Sequence, residues 1–267
     1  MQQKGSPRRE FARLVKEILS RGERSPGALV AAAARALLGR PYRAAPLERG
    51  GAERLVVDFT SFDCVTLVET AVALALTASS PRPDFDRFAA RLRKIRYRKG
   101  RLAGYASRLH YFSDWLADNE AKMILHDRTR GLGGVACRRK IDRMSAHRER
   151  YPALKDPAAF RSIRAVERRL SARSWYCLEK RQLRRAEKAI REGDIVAIAS
   201  GEEGLDVCHV GIAVRHRGRV RLLHASSAAG CVIASDETLY SYLQAKKHRA
   251  GVLVAGVVGE KARHSLR

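Results

Sequence analysis

Cysteine is sparse. The 267 residues hold five, Cys64, Cys137, Cys177, Cys208 and Cys231, far apart and odd in number. No Cys-x-x-Cys pair occurs, so a zinc ribbon or a redox dithiol has no support, and the spacing is too scattered for a disulfide scaffold. At least one thiol is therefore expected to be free. Aromatic residues make up only 6%, few for a surface that stacks nucleic-acid bases. No apolar run approaches the roughly 20 residues of a membrane span. Charges interrupt the opening stretch MQQKGSPRREFARLVKEILS throughout, so it contains no signal-peptide core. The expectation is a protein that stays in the cytoplasm, or one whose export signal lies outside this sequence.

Acidic residues are also short, 28 Asp and Glu against 53 Lys and Arg, which gives a formal net charge of +25. The plainer reading of that excess is a heavily solvated, arginine-rich surface. The sharper one is attraction to nucleic acid or to an anionic cell-surface polymer. The Arg-rich section 161–191 is the support for a basic nucleic-acid-binding protein. Without a recognised nucleic-acid motif or interleaved aromatics, that remains the weaker reading. Hydrophobic residues at 45% and charged residues at 30% are ordinary for a globular chain with a sizeable core.

Helical periodicity marks REFARLVKEILS and SPGALVAAAARALLG within residues 1–40. A turn-rich connector follows, then RLVVDF (54–59) as a short strand. Residues 63–78 predict a helix, and 84–97 and 108–122 two more. The section 80–192 reads as a mainly helical insertion. From Gly193 the pattern changes to strands: DIVAIAS, VCHVGIAV, RVRLLHAS, CVIAS and GVLVAGVV, an antiparallel sheet over 193–258. Helices first and strands second give an α+β fold, and one domain over 1–267 is the simplest organisation.

Three residues carry chemistry. In TSFDCVTLVETAVALALT, Asp63 is placed as a helix N-cap and Cys64 falls in the first turn, where partial positive charge favours a thiolate. The plainer reading is a small core hydrophobe. His209 shares a strand face with Val207, Gly211 and Ala213, while Cys208 points to the opposite face. His224 lies on the next strand beyond RHRGR, a predicted hairpin link. If the turn centres between His216 and Arg217, the two histidines face each other across the strands, with Cβ atoms roughly 5 Å apart. Cys64 would then attack a carbonyl carbon, His209 would move the proton, and His224 would orient His209. A metal site from the same residues is the weaker alternative, because no carboxylate falls at ligand spacing. No cofactor is called for.

The order FDCVT, HVGIAV and LLHASS resembles the NlpC-type papain-like cell-wall hydrolases. The closer resemblance is to their N-acetylmuramoyl-L-alanine amidase-like branch. LLGRPYRAAPLE (37–48), SFDCVTLVE (61–69), GYASRLHYFSDWLADN (104–119), KIDRMSAHRERYPAL (140–154) and the stretch 193–243 all look like it. The resemblance implies an antiparallel sheet packed on the cysteine helix. It also implies a cysteine amidase that cleaves the amide between N-acetylmuramic acid and L-alanine in muropeptides. A cut within the stem peptide by the same triad is the alternative, since groove shape selects the bond. By position, Cys64, His209 and His224 match the catalytic motifs, and Tyr42 matches a tyrosine near the cysteine. Tyr105, Ser107, Arg108, His110, Ser145 and His147 fall in family-like stretches and are candidate substrate-groove residues. Arg108 is the one able to meet a peptide carboxylate as a bidentate donor. Relatives generally act in the cell envelope, which points away from the cytoplasm. A monomer is expected.

Overall fold

The computed structural model describes residues 6–259. The outermost parts of the one-domain reading, 1–5 and 260–267, lie outside the described residues. The fold is mixed α/β, an antiparallel sheet with many helices. In chain order the elements are α1 (Pro7–Ser20), α2 (Pro26–Arg35), α3 (Cys64–Ala78), α4 (Phe85–Arg96), α5 (Phe112–Ala121), β1 (Leu125–Asp127), β2 (Val135–Cys137), α6 (Arg143–Ala146), α7 (Pro157–Ala172) and β3 (Trp175–Glu179). Then come α8 (Lys180–Ala186), β4 (Ile195–Ser200), β5 (Val207–His216), β6 (Arg219–Ser226), β7 (Cys231–Thr238), α9 (Leu239–Gln244) and β8 (Arg249–Val257). The sheet runs β2-β3-β8-β4-β5-β6-β7, with β1 also paired to β8. Among the described residues no helix is long and apolar enough to cross a membrane.

Strand alternation sorts the sheet side chains into two cores. Ile195, Ala197, Val210, Ile212, Leu223 and Leu253 share a core with α1 to α4. Val196, Ile198, Ala213, Leu222 and Val254 share the other with Leu183 of α8 and Leu239 and Leu243 of α9. With both faces covered, β4 is buried at every position, which explains its apolar run IVAIA. A third core lies within the insertion, from Tyr111, Ile141, Met144, Leu154, Ile163, Val166 and Leu170.

Helix α3 runs through the first core. Its start is fixed by a capping box: the Thr66 N–H donates to Asp63 Oδ1 at 2.8 Å, and Thr66 Oγ1 accepts from the Asp63 N–H at 3.0 Å. Such a cap stabilises a helix by about 1 kcal/mol. Every residue from Thr66 to Ala78 is buried. Val65, in the first turn, is 37% exposed. Farther along, Glu69 meets Arg96 of α4 in a buried ion pair, Nε to Oε2 at 2.6 Å, and Arg96 Nη1 donates to the Val56 carbonyl at 2.7 Å.

That last bond explains one correction. Residues 54–59, read as a strand, are irregular. Their carbonyls are served by side chains rather than by a ladder: Val56 by Arg96, and Arg54 by the Tyr97 hydroxyl at 3.0 Å. The insertion is a second correction, because β1, β2 and β3 lie inside 80–192. They are three to five residues long, too short to show alternation, and they extend the sheet edge beyond β8.

The hairpin register is a third. The partners are Ile212 with Leu223 and His216 with Arg219, so the turn is Arg217–Gly218. Both turn residues have positive φ, 49° and 77°, as a type I′ hairpin turn requires. The shift moves the partner of each histidine by two residues. That preserves which face each one occupies, so His209 and His224 become diagonal rather than direct neighbours.

Candidate active site

At the start of α3 the Cys64 sulfur is ringed by backbone donors. Its own N–H and those of Val65 and Val210 pull its pKa down, as the exposed N–H groups of a helix N-terminus do. Burial works against them, and the Asp63 carboxylate adds to it, so the thiol is pushed up to about 12. The resting group is a neutral thiol. Val210 follows His209 in β5, so the strand that supplies one of these donors also carries the imidazole.

His209 Nε2 and His224 Nδ1 lie 2.8 Å apart. The ring centroids are 4.8 Å apart and the planes stand at 88°. Burial pushes His209 down to about 3, with His224 and Arg249 adding. Burial and Arg249 push His224 down to about 4. Both imidazoles are therefore neutral near pH 7. The bond leaves Nδ1 of His209 without a partner among the described residues.

A bulge shapes this end of β5. Ile198 pairs with His209 and Ala199 with Val207, so Cys208 is the extra residue. Contrary to the sequence expectation, Cys208 packs on the core that holds Ala213 and Leu222, while Val207 turns to the α3 side. An inserted residue breaks the alternation on which that expectation rested. The Cys208 thiol donates to the Ile198 carbonyl at 3.6 Å.

Cys64 and His209 line one cleft of about 160 Å³, with His110, Arg143, Tyr151, Asp206 and Cys208 among its walls. The other predicted residues divide. Tyr42 lies beside the cysteine: burial raises its phenol pKa, with Cys64 and Asp63 adding, and its N–H donates to Gly230 at 2.7 Å. His110 faces the cleft, neutral, pushed down to about 3 by burial and then by Arg108. Its Nε2–H donates to the Tyr105 carbonyl at 2.9 Å and its ring lies 4.4 Å from that of Tyr105.

Tyr105 and Arg108 line a separate pocket with the 47–54 loop. Arg108 is already matched by protein carboxylates, Glu48 at 2.6 Å and Glu53 at 3.4 Å. A peptide carboxylate would meet Arg108 only in competition with these two. Ser107 closes a local turn, donating to the Gly104 carbonyl at 2.6 Å. Ser145 donates to Asp142 at 3.3 Å, and His147 lines an adjoining charged groove with Arg139 and Glu202.

Sequence reasoning missed Arg143 and Asp206, and Tyr242, whose ring centroid lies 5.4 Å from that of His224. Arg143 lines both the cleft and the groove, 3.4 Å from Glu202. Its helix is held from below, because Glu167 Oε1 accepts the N–H groups of Met144 at 3.1 Å and Ser145 at 3.0 Å and the Tyr111 hydroxyl at 2.7 Å. Arg143 did lie in a family-like stretch, but in so basic a chain one arginine carries no distinguishing signal. Buried Asp206 accepts from the N–H groups of Ser113 and Val207, at 2.7 and 2.8 Å, and ties α5 to β5. Among the described residues no group of three or more His, Cys, Asp or Glu could hold a metal ion.

The sequence profile of the AmiA-like family, described as N-acetylmuramoyl-L-alanine amidase-like, matches residues 32–252. No curated protein matches the chain. Among solved structures, an N-acetylmuramoyl-L-alanine amidase from Bacteroides uniformis is 34% identical with a TM-score of 0.83, covering 87% of this chain and 98% of its own. A Bacteroides fragilis protein that carries a provisional xylanase label is 35% identical with a TM-score of 0.78, covering 83% and 98%. A Legionella pneumophila protein of the DUF1460 family shares the fold at 18% identity and a TM-score of 0.69, covering 94% and 95%. The profile match and the Bacteroides uniformis likeness both extend over most of the chain, and the chain belongs to the AmiA-like, N-acetylmuramoyl-L-alanine amidase-like family.

Proposed function

We propose that the protein is a cysteine amidase of the NlpC-type, papain-like kind, one catalytic domain that hydrolyses the amide between the lactyl group of N-acetylmuramic acid and L-alanine in muropeptides. The observation that carries this reading is the shared cleft, lined by Cys64 at a capped helix N-terminus and by His209, whose ring is hydrogen-bonded to His224. The Cys64 thiol gives its proton to Nδ1 of His209 as sulfur attacks the lactyl carbonyl carbon. The backbone N–H groups at the start of α3 favour the oxyanion. His209 returns the proton to the alanine nitrogen, the C–N bond breaks, and a thioester remains. Water then attacks the thioester with His209 as base, which releases the acid and restores the thiol. Tyr42 and His110 line the substrate path, and Arg143 supplies positive charge for the carboxylates of the stem peptide.

Mass spectrometry of a defined disaccharide-peptide digest tests the bond. The expected products are a disaccharide with a free lactyl carboxylate and an intact stem peptide that begins with L-alanine. A cut within the stem peptide would establish the endopeptidase reading in its place.

The pH profile follows from the site. A neutral thiol beside a neutral imidazole is the active form, and His209 loses it only as pH falls through about 3, where Nδ1 is protonated and has no lone pair to offer. The thiol is at about 12, far on the other side. kcat/KM is therefore expected to stay level from about pH 5 to about pH 9. A bell with its acid limb near the ordinary imidazole value of 6.5 would count against a neutral pair.

A further inference from the structure

The histidine pair poses a question that its own geometry leaves open. A bond between His209 Nε2 and His224 Nδ1 can run in either direction. Only one direction leaves Nδ1 of His209 bare and able to accept a proton. In that arrangement His209 donates from Nε2–H, His224 accepts at Nδ1, and His224 carries its own proton on Nε2. Yet among the described residues Nε2 of His224 is buried with no hydrogen-bond partner, although the Ala225 backbone also acts on the ring. A buried N–H left in that state is costly.

Against the His224 ring lies Tyr242 of α9, its centroid 5.4 Å away and its plane at 67°, an edge-to-face arrangement. Tyr242 is held from its other neighbours. Arg249 donates from Nη1 to the Tyr242 carbonyl oxygen, and its guanidinium carbon lies 3.7 Å from the ring centroid. The Tyr242 hydroxyl has no hydrogen-bond partner among the described residues. What His224 has against it is thus the Tyr242 ring, with no hydrogen bond to its hydroxyl. An aromatic face is electron-rich, so it attracts an N–H and repels a bare nitrogen lone pair.

We propose that the π face of Tyr242 accepts Nε2–H of His224 and thereby sets the tautomer of both imidazoles, leaving Nδ1 of His209 as the free base. Tyr242 is a positioning residue, because it acts through His224 and then His209. The catalytic consequence rests on the amidase reading, whereas the tautomer is a property of the resting protein. The positive charge of Arg249 works in the same direction by disfavouring a second proton on either ring.

Nitrogen NMR of the labelled protein reads the tautomers without any substrate. His224 is expected to show a protonated Nε2 and a bare Nδ1, and His209 the same pattern. A bare Nε2 on His224 would overturn the proposal. Tyr242→Phe keeps the ring face and is expected to keep both tautomers and kcat. Tyr242→Leu removes the face; His224 is expected to become a tautomer mixture and kcat to fall about two- to fivefold at unchanged KM, the size of a lost N–H···π contact. Wild-type tautomers in the leucine variant, or lost ones in the phenylalanine variant, would overturn it as well. If wild-type protein leaves muropeptides intact, the amidase reading fails while the nitrogen spectra still decide the tautomer.

Discussion

Cys64→Ala is expected to lower muropeptide amide cleavage by about 10⁴-fold or more, the scale on which removal of a nucleophile disables a catalytic triad. The fold should persist. The substitution exchanges one small side chain for another at a half-buried position, and the Asp63–Thr66 cap that starts α3 does not involve the sulfur. The stability change should stay within about 1 kcal/mol. Product chromatography measures the first quantity and thermal unfolding the second. Cys208→Ala is the necessary control, because this residue also lines the cleft. Its thiol donates to a β4 carbonyl and sits on a bulge rather than at a helix N-terminus, so turnover should be retained. Cleavage by Cys64→Ala at a tenth of the wild-type rate would remove the nucleophile from the mechanism.

Glu69→Ala is expected to destabilise the protein by about 3–5 kcal/mol, the cost of leaving a buried charge without its partner. Both side chains of the Glu69–Arg96 pair are only 2% exposed. Arg96 would keep the Val56 carbonyl but lose its carboxylate. The pair links the middle of α3 to the end of α4 and to the irregular 54–59 segment, so the loss reaches the helix that begins at Cys64. Urea unfolding should show a lower midpoint at unchanged slope. The double variant Glu69→Leu, Arg96→Met should recover much of the loss, because it removes the orphaned charge along with its partner. A loss below about 1 kcal/mol in Glu69→Ala would show that the pair is not the main tie between these elements.

Legibility in the sequence followed the range of the signal. Asp63 and Thr66 are three residues apart, and local chemistry was enough to place the start of α3. β4, β5, β6 and β8 were legible because strands of six or more residues survive small errors at their ends. β1 to β3 were not, because short edge strands are made by the neighbour they join. The face of each histidine was legible despite a wrong register, since a shift of two residues preserves it. The bulge at Cys208 reversed local alternation and had no visible marker. Arg108 looked free because its partners, Glu48 and Glu53, lie more than fifty residues earlier in the chain. Tyr242 escaped notice for the same reason: the chain reaches it through a whole strand and turn after His224.

The third apolar core has a consequence for how this enzyme can change. Arg143 rides on a short helix secured by Glu167 and Tyr111, and those contacts belong to the insertion. Cys64 and the histidine pair are anchored to α3 and the sheet. On the proposed reading, reactivity and selectivity therefore draw on separate foundations. Changes beneath Arg143 can reshape what the cleft admits while the proton path beneath His209 stays as it was, and relatives built on this frame can diverge in diet without relearning their chemistry.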